Sequence, residues 1–222
     1  SSAVSLAAAA VFAAQPFAGY FATTMQVDGA SAAILLHLAA IAATPAAQRP
    51  GPLAIGAIGG LLLALKTVNL LFASPLLVWL AWSSTPGLRL RWTLRMLAML
   101  LPLAASSHVY AALVTGNPLF PFFNAVFRSP YYPLENMRDL KWMAGATWRA
   151  PWDLLFHSEM FGQYYPGSSG IAALATLPVV LAVAVRKPAM RWLAVWAVLV
   201  AAALFMQMQY LRYLFPAYAV LA

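Results

Sequence analysis

Cysteine is absent from this chain and acids nearly so, with five Asp and Glu among 222 residues and charged residues of every kind at 8%. A soluble domain has roughly a quarter of its residues charged. A water-exposed globule of this composition would have almost nothing to cover its surface with. The missing cysteines exclude a disulfide-stapled secreted domain and leave the redox compartment open. At 64% hydrophobic residues and a mean hydropathy of +0.79 the chain is not disordered. The net charge of +8 would suit nucleic acid only if gathered on one soluble face. The positive-inside rule of membrane proteins accounts for it instead, so composition points to an integral membrane protein in contact with lipids and without a nucleic-acid partner.

Other features are missing too. The chain opens Ser1-Ser2 with no basic region or small-residue cleavage site, so no signal peptide is expected. It stops at Ala222 inside an apolar run and reads as an internal piece of a longer protein. There is no P-loop, no G-x-G-x-x-G, no G-x-S-x-G and no internal repeat.

What is present is a series of apolar runs between breakers. One helical crossing of a ~30 Å hydrocarbon core takes about 20 residues. Ser1 to Ala14 reads as the tail of one helix, and Asp28 to Ala43 as a second with an acid suited to its N-terminus. Leu53 to Leu65 and Leu70 to Trp82 read as a tight helical hairpin tipped by Lys66-Thr67-Val68-Asn69. Trp92 to Val114 follows with a kink expected at Pro102, then Ile171 to Val185, Trp192 to Gln209 and the start of a last helix from Tyr213. The expected fold is an all-α polytopic bundle of about seven to eight membrane helices. Residues 1–114 and 171–222 form its membrane helices and 115–170 a large extracytoplasmic loop. Leu140 to Thr147 is the most helix-like part of that loop, whose tryptophans and tyrosines suit the headgroup level.

Charge placement agrees with this layout. Three connections carry Arg49, then Arg89, Arg91 and Arg95, then Arg186, Lys187 and Arg191, with no acid among them. These connections are expected in the cytoplasm. Alternation then puts Asp28, Lys66, the 115–170 loop and Arg212 outside, together with every other acid of the chain. Any chemistry belongs on that outer face of the inner (plasma) membrane.

Each candidate residue has a functional and a structural reading. Asp28 is a functional carboxylate or an interfacial helix cap. Lys66 is a phosphate or carboxylate partner, or a lysine snorkelling to the interface. Arg212 is part of an anionic-headgroup site or an anchor flanked by tyrosines. His157 and Glu159 suit a ligand or a solvated loop equally, whereas His37 and His108 read as satisfied core histidines. No two histidines have metal-ligand spacing, and no metal site is visible. Gly56, Gly59 and Gly60 read as allowing close helix packing.

The most specific string is Thr115-Gly116-Asn117-Pro118-Leu119-Phe120-Pro121-Phe122-Phe123-Asn124. It resembles the "TGNPxFPFxN" signature, followed by a "SPYYP"-like stretch (Ser129 to Pro133), of bacterial multi-pass glycosyltransferases of the GT-C superfamily. Gly59 to Thr67 is similar to that family's "GLxxGLAxxTKxT" hairpin, and Arg212 to Ala217 to its "RYLLPxxP" helix start. Tyr20 to Asp28 resembles the lead into its acid-headed helix.

The resemblance implies a transferase that takes a sugar from a polyprenyl-phosphate carrier and delivers it to an acceptor outside the cytoplasm. Lys66 and Arg212 would clamp the phosphate, and Asp28 would be a secondary catalytic acid. Asn117, Arg128, His157 and Glu159 would contact substrate. The family's principal acid lies in its first extracytoplasmic loop, which implies a main base upstream of Ser1. Some relatives use a divalent metal and others none. The alternative is a transporter or a non-catalytic subunit of a membrane complex, with other membrane subunits as partners. The absence of an inverted repeat and the clustering of charge at one membrane edge speak against a transporter.

Overall fold

The computed structural model describes residue 10 and residues 27–137, 143, 145, 147–162, 178 and 180–221. The expected helix over Ser1 to Ala14 and the lead-in before Asp28 lie outside these residues. So do most of Leu140 to Thr147 and most of Ile171 to Val185. Among the described residues every regular element is helical and none is a strand. The helices are α1 (Asp28–Ala43), α2 (Pro52–Leu65), α3 (Asn69–Trp82), α4 (Arg89–Thr115), α5 (Asn124–Phe127), α6 (Ala150–Phe156), α7 (Pro188–Gln207) and α8 (Leu211–Leu221). Residues 180–186 are helical as well.

The chain packs as two units, Thr44–Asp139 and the combination of Ser1–Ala43 with Leu140–Ala222.

In the Thr44–Asp139 unit, α2 lies against α4 along a seam of glycines. A Cβ added at Gly56 would run into the Met96 backbone, and one at Gly60 would meet the Leu100 carbonyl at 2.8 Å. Small residues four apart let two backbones approach this closely, the usual solution where apolar helices pack without a hydrophobic drive between them. Both partner positions advance by four in the same direction, so α2 and α4 run parallel. Pro52 is thereby level with Trp92, and α3, which follows α2 in the chain, runs back in the opposite direction.

The connections bear this out. Arg49 donates from Nε to the Thr44 carbonyl at 2.8 Å and from its guanidinium to Ser83 Oγ. This joins the 44–51 and 83–88 turns at one end of the unit. Burial of Arg49 holds its guanidinium below the ordinary arginine pKa. At the opposite turn, Asn69 is buried and its Nδ2 donates 2.8 Å to the Leu62 carbonyl, satisfying the exposed end of α2.

In the other unit α1 packs on α8 and, less extensively, on α7, and α7 packs on α8. Asp28, Ser31, Ala32, Leu35, Leu38, Ala39 and Ala42 are buried, a stripe at helical spacing. His37 falls on the other face and is exposed, which corrects its reading as a core histidine.

Where the residues are described, the expected helix boundaries match to within a few residues, and α4 continues through Pro102 as one 27-residue helix. The expectation of seven to eight crossings is met only in part. Among the described residues, two helical stretches are long and apolar enough to cross a membrane: Pro86–Thr115, 30 residues, and Pro188–Gln207, 20 residues. Helices α1, α2, α3 and α8 are apolar but have only 16, 14, 14 and 11 residues. Only 6% of the most apolar part of Pro86–Thr115 is buried, where the core helix of a soluble protein would be mostly covered.

Candidate functional site

The loop after α4 is built around three buried polar residues. Helix α4 stops at Gly116, whose φ of +73° only glycine adopts without strain, and its N–H bonds the Ala112 carbonyl at 2.9 Å. Thr115 Oγ1 accepts from the Asn117 N–H at 3.1 Å. Asn117 is fully buried, and its Oδ1 accepts from the Leu119 N–H at 2.9 Å. Its Nδ2 donates to the Phe122 carbonyl at 2.9 Å and to Asn124 Oδ1 at 3.3 Å. Its donors are thus spent inside the loop. His108 Nδ1 lies 2.9 Å from the Pro118 carbonyl, tying the loop to the body of α4 and satisfying that histidine.

Asn124 is the centre of the second half. Also fully buried, it donates from Nδ2 to the carbonyls of Ser129, Tyr132 and Pro133 at 3.0, 2.9 and 3.1 Å. Its Oδ1 accepts from the Ser129 N–H at 2.9 Å. The four-residue α5 is bracketed by two non-glycine residues in left-handed backbone, Phe123 at φ 54° and Arg128 at φ 56°. Such strain of about 1–3 kcal/mol each persists only where surrounding contacts over-determine the backbone, and the Asn124 bonds supply that constraint. Arg128 is thereby presented outward, exposed and without a partner among the described residues. Phe120 closes against Tyr132 edge-to-face at 6.4 Å across a cis Phe120–Pro121 peptide.

Lys66 follows the last residue of α2 in extended backbone (φ −162°) and is half-buried in the same unit. Asp28 and Arg212 belong to the other unit. Asp28 is 3% exposed in the first turn of α1, where a carboxylate meets the free N–H groups of a helix start.

Arg212 stands in the first turn of α8, straight after the Met208-Gln209-Tyr210 break. Its guanidinium carbon is 5.0 Å from the Tyr210 ring and 5.1 Å from the Tyr213 ring, and it donates to the Tyr213 hydroxyl at 3.4 Å. Its Nε is buried with no hydrogen-bond partner among the described residues. Beside it Gln209 is 1% exposed, with Oε1 likewise unpartnered among them. One turn on, α8 opens on an apolar cavity of about 280 Å³ shared with α6 and α7, lined by Leu154, Val198, Phe205, Leu214 and Tyr218 among others.

His157 is exposed and 3.7 Å from Glu159 Oε1, a loose pair on the short turn Ser158–Phe161. The turn is seated by Phe161, whose ring meets Phe205 at 5.3 Å. Among the described residues no three His, Cys, Asp or Glu side chains gather to hold a metal.

The structure thus groups Asp28, Arg212, His157 and Glu159 in one unit, and Lys66, Asn117 and Arg128 in the other. Sequence reasoning singled out neither Asn124, Ser129 nor Gln209. The first two were detectable as polar residues regularly flanked by Pro and aromatics, a pattern that rigid loops share. Comparison with protein families, characterised proteins and solved structures finds no match for this chain.

Proposed function

We propose that the chain is the membrane-embedded part of a multi-pass glycosyltransferase resembling the GT-C superfamily. It moves a sugar from a polyprenyl-phosphate donor to an acceptor on the extracytoplasmic face. The observation that carries this reading is the arrangement at the head of α8, where Arg212 packs beside the paired rings of Tyr210 and Tyr213 with no carboxylate partner among the described residues, and the next turn borders the 280 Å³ apolar cavity. A cation beside an apolar cavity suits a ligand with a charged head and a hydrocarbon tail.

Chemically, departure of a lipid phosphate leaves negative charge that a fixed guanidinium stabilises, while a carboxylate takes the proton of the acceptor hydroxyl. Arg212 has the first role, and Asp28, a buried acid of the same unit, the second. Lys66 is a second candidate cation, assigned by its own substitution. Two further features support a membrane setting. Trp148 and Trp152 are 90% and 55% exposed beside α6, a costly display in water and an ordinary one among headgroups. Only 6% of the most apolar part of Pro86–Thr115 is buried. The proposal includes seven to eight passes, the short helices crossing in the company of neighbours, with the 115–170 loop outside.

The test offers the purified full-length protein a polyprenyl-phosphate-linked sugar beside a nucleotide sugar in proteoliposomes. Transfer from the lipid-linked donor, lost with Arg212→Ala, is expected. Transfer from the nucleotide sugar alone contradicts the reading, since that donor is cytoplasmic. Solute uptake without sugar transfer would favour the transporter.

A further inference from the structure

The end of the Thr44–Asp139 unit remote from Lys66 carries a second cavity, of about 190 Å³, lined by Pro52, Leu88, Arg91, Trp92 and Arg95. Arg91 and Arg95 are one helical turn apart and so share a face of α4. Both are exposed, and neither has a hydrogen-bond or ion-pair partner among the described residues. No acid occurs between Thr44 and Leu134 that could neutralise them. Arg49 and Arg89 add charge to the same end: Arg49 closes the two turns there, and Arg89 stacks 4.6 Å over Trp82 with its Nε buried and unpartnered among the described residues.

We propose that this cavity binds the phosphodiester headgroup of an anionic glycerophospholipid. The glycine seam sets its width. With Gly56 against Met96, the preceding turns of the parallel helices place Pro52 opposite Trp92, and the ring and the proline form the apolar floor below the arginines. The starts of α2 and α4 both face this end and add their positive dipole ends to the two guanidinium groups.

The surroundings select a lipid over free phosphate. One turn further into the membrane on the arginine face, Met99 is 43% exposed and nearby Leu101 57% exposed, a surface for acyl chains below a headgroup. Basic pockets between membrane helices on the cytoplasmic side are where anionic headgroups bind. The site rests on the membrane setting proposed above and on the cytoplasmic placement of these turns. It does not depend on sugar transfer.

The test uses the full chain in detergent micelles doped with phosphatidylglycerol or phosphatidylcholine, with inorganic phosphate as a third arm and thermal unfolding as the readout. Phosphatidylglycerol is expected to raise the unfolding temperature saturably, phosphatidylcholine much less, and phosphate not at all. Arg91→Gln combined with Arg95→Gln should weaken the phosphatidylglycerol effect about thirtyfold, each surface charge contributing about fivefold. Arg149→Gln, an exposed arginine elsewhere, should leave it unchanged. Equal stabilisation by both lipids, or by phosphate alone, overturns the site, as does a double variant that retains its response. Sugar transfer by the same double variant, measured separately, tells failure here from failure of the transferase reading.

Discussion

Asn124 grips Ser129 at both its backbone groups, accepting from the N–H at 2.9 Å and donating to the carbonyl at 3.0 Å. One amide thereby does for this loop what a pair of strands would do, and it extends the grip to Tyr132 and Pro133. Replacing Asn124 by Ala leaves buried carbonyls and an N–H unpaired, at ~1–3 kcal/mol for each group. Asn124→Asp, though the same shape, should be at least as damaging, because it faces three carbonyl oxygens with a carboxylate. Limited proteolysis within 116–137 and thermal unfolding in detergent would show both effects. An undisturbed Asn124→Asp protein would refute the network.

Gly56→Ala should separate α2 from α4, because its Cβ meets the Met96 backbone, which cannot swing aside. A cost of ~1–3 kcal/mol is expected for such overpacking, read as a lower unfolding temperature. Gly51→Ala is the matched control: a Cβ there meets nothing within 4 Å, and its stability should be unchanged.

These two cases show what the sequence made legible. Helix existence and the glycine seam could be read locally, since apolar runs bounded by Pro or Gly-Asn-Pro leave few choices. Helix α6 was missed because Pro151 reads as a breaker, whereas it occupies the opening turn, where proline is favoured. The pairing of α1 with α7 and α8 joins segments more than a hundred residues apart, and no periodicity within one helix records its partner. The burial of Asn124 and Ser129 was not legible, because burial of a polar side chain is decided by carbonyls that fold around it later.

Topology is open to cysteine labelling, the chain having no cysteine of its own. Thr85→Cys and Thr147→Cys, both at exposed positions, should react from opposite sides of sealed vesicles, with Thr147→Cys alone reacting from outside. Labelling of both from one side would remove the proposed layout.

For Arg212, the Ala variant should lose about a hundredfold in transfer rate, the size of effect seen when one well-placed transition-state donor is removed. Arg212→Lys keeps the charge but not the flat guanidinium packed beside Tyr210 and Tyr213, and an intermediate rate is expected. Thermal unfolding should shift by no more than the ~0.5–2 kcal/mol of a cation–π contact. A rate loss matched by an equal loss of folded protein would reduce Arg212 to an anchor.

The 27 residues of α4 span about 40 Å, against a hydrocarbon core of ~30 Å. The excess is taken up by the turns that carry Arg89, Arg91 and Arg95, so Met96 to Thr115 matches the core on its own. An unbroken rod with charged feet at one end and a hydrogen-bonded loop at the other cannot shorten. In the membrane setting proposed above, bilayers of shorter or longer acyl chains would therefore have to tilt it or deform around it. The height of residues 116–137 above the lipid would then be a property of the host membrane as much as of the protein.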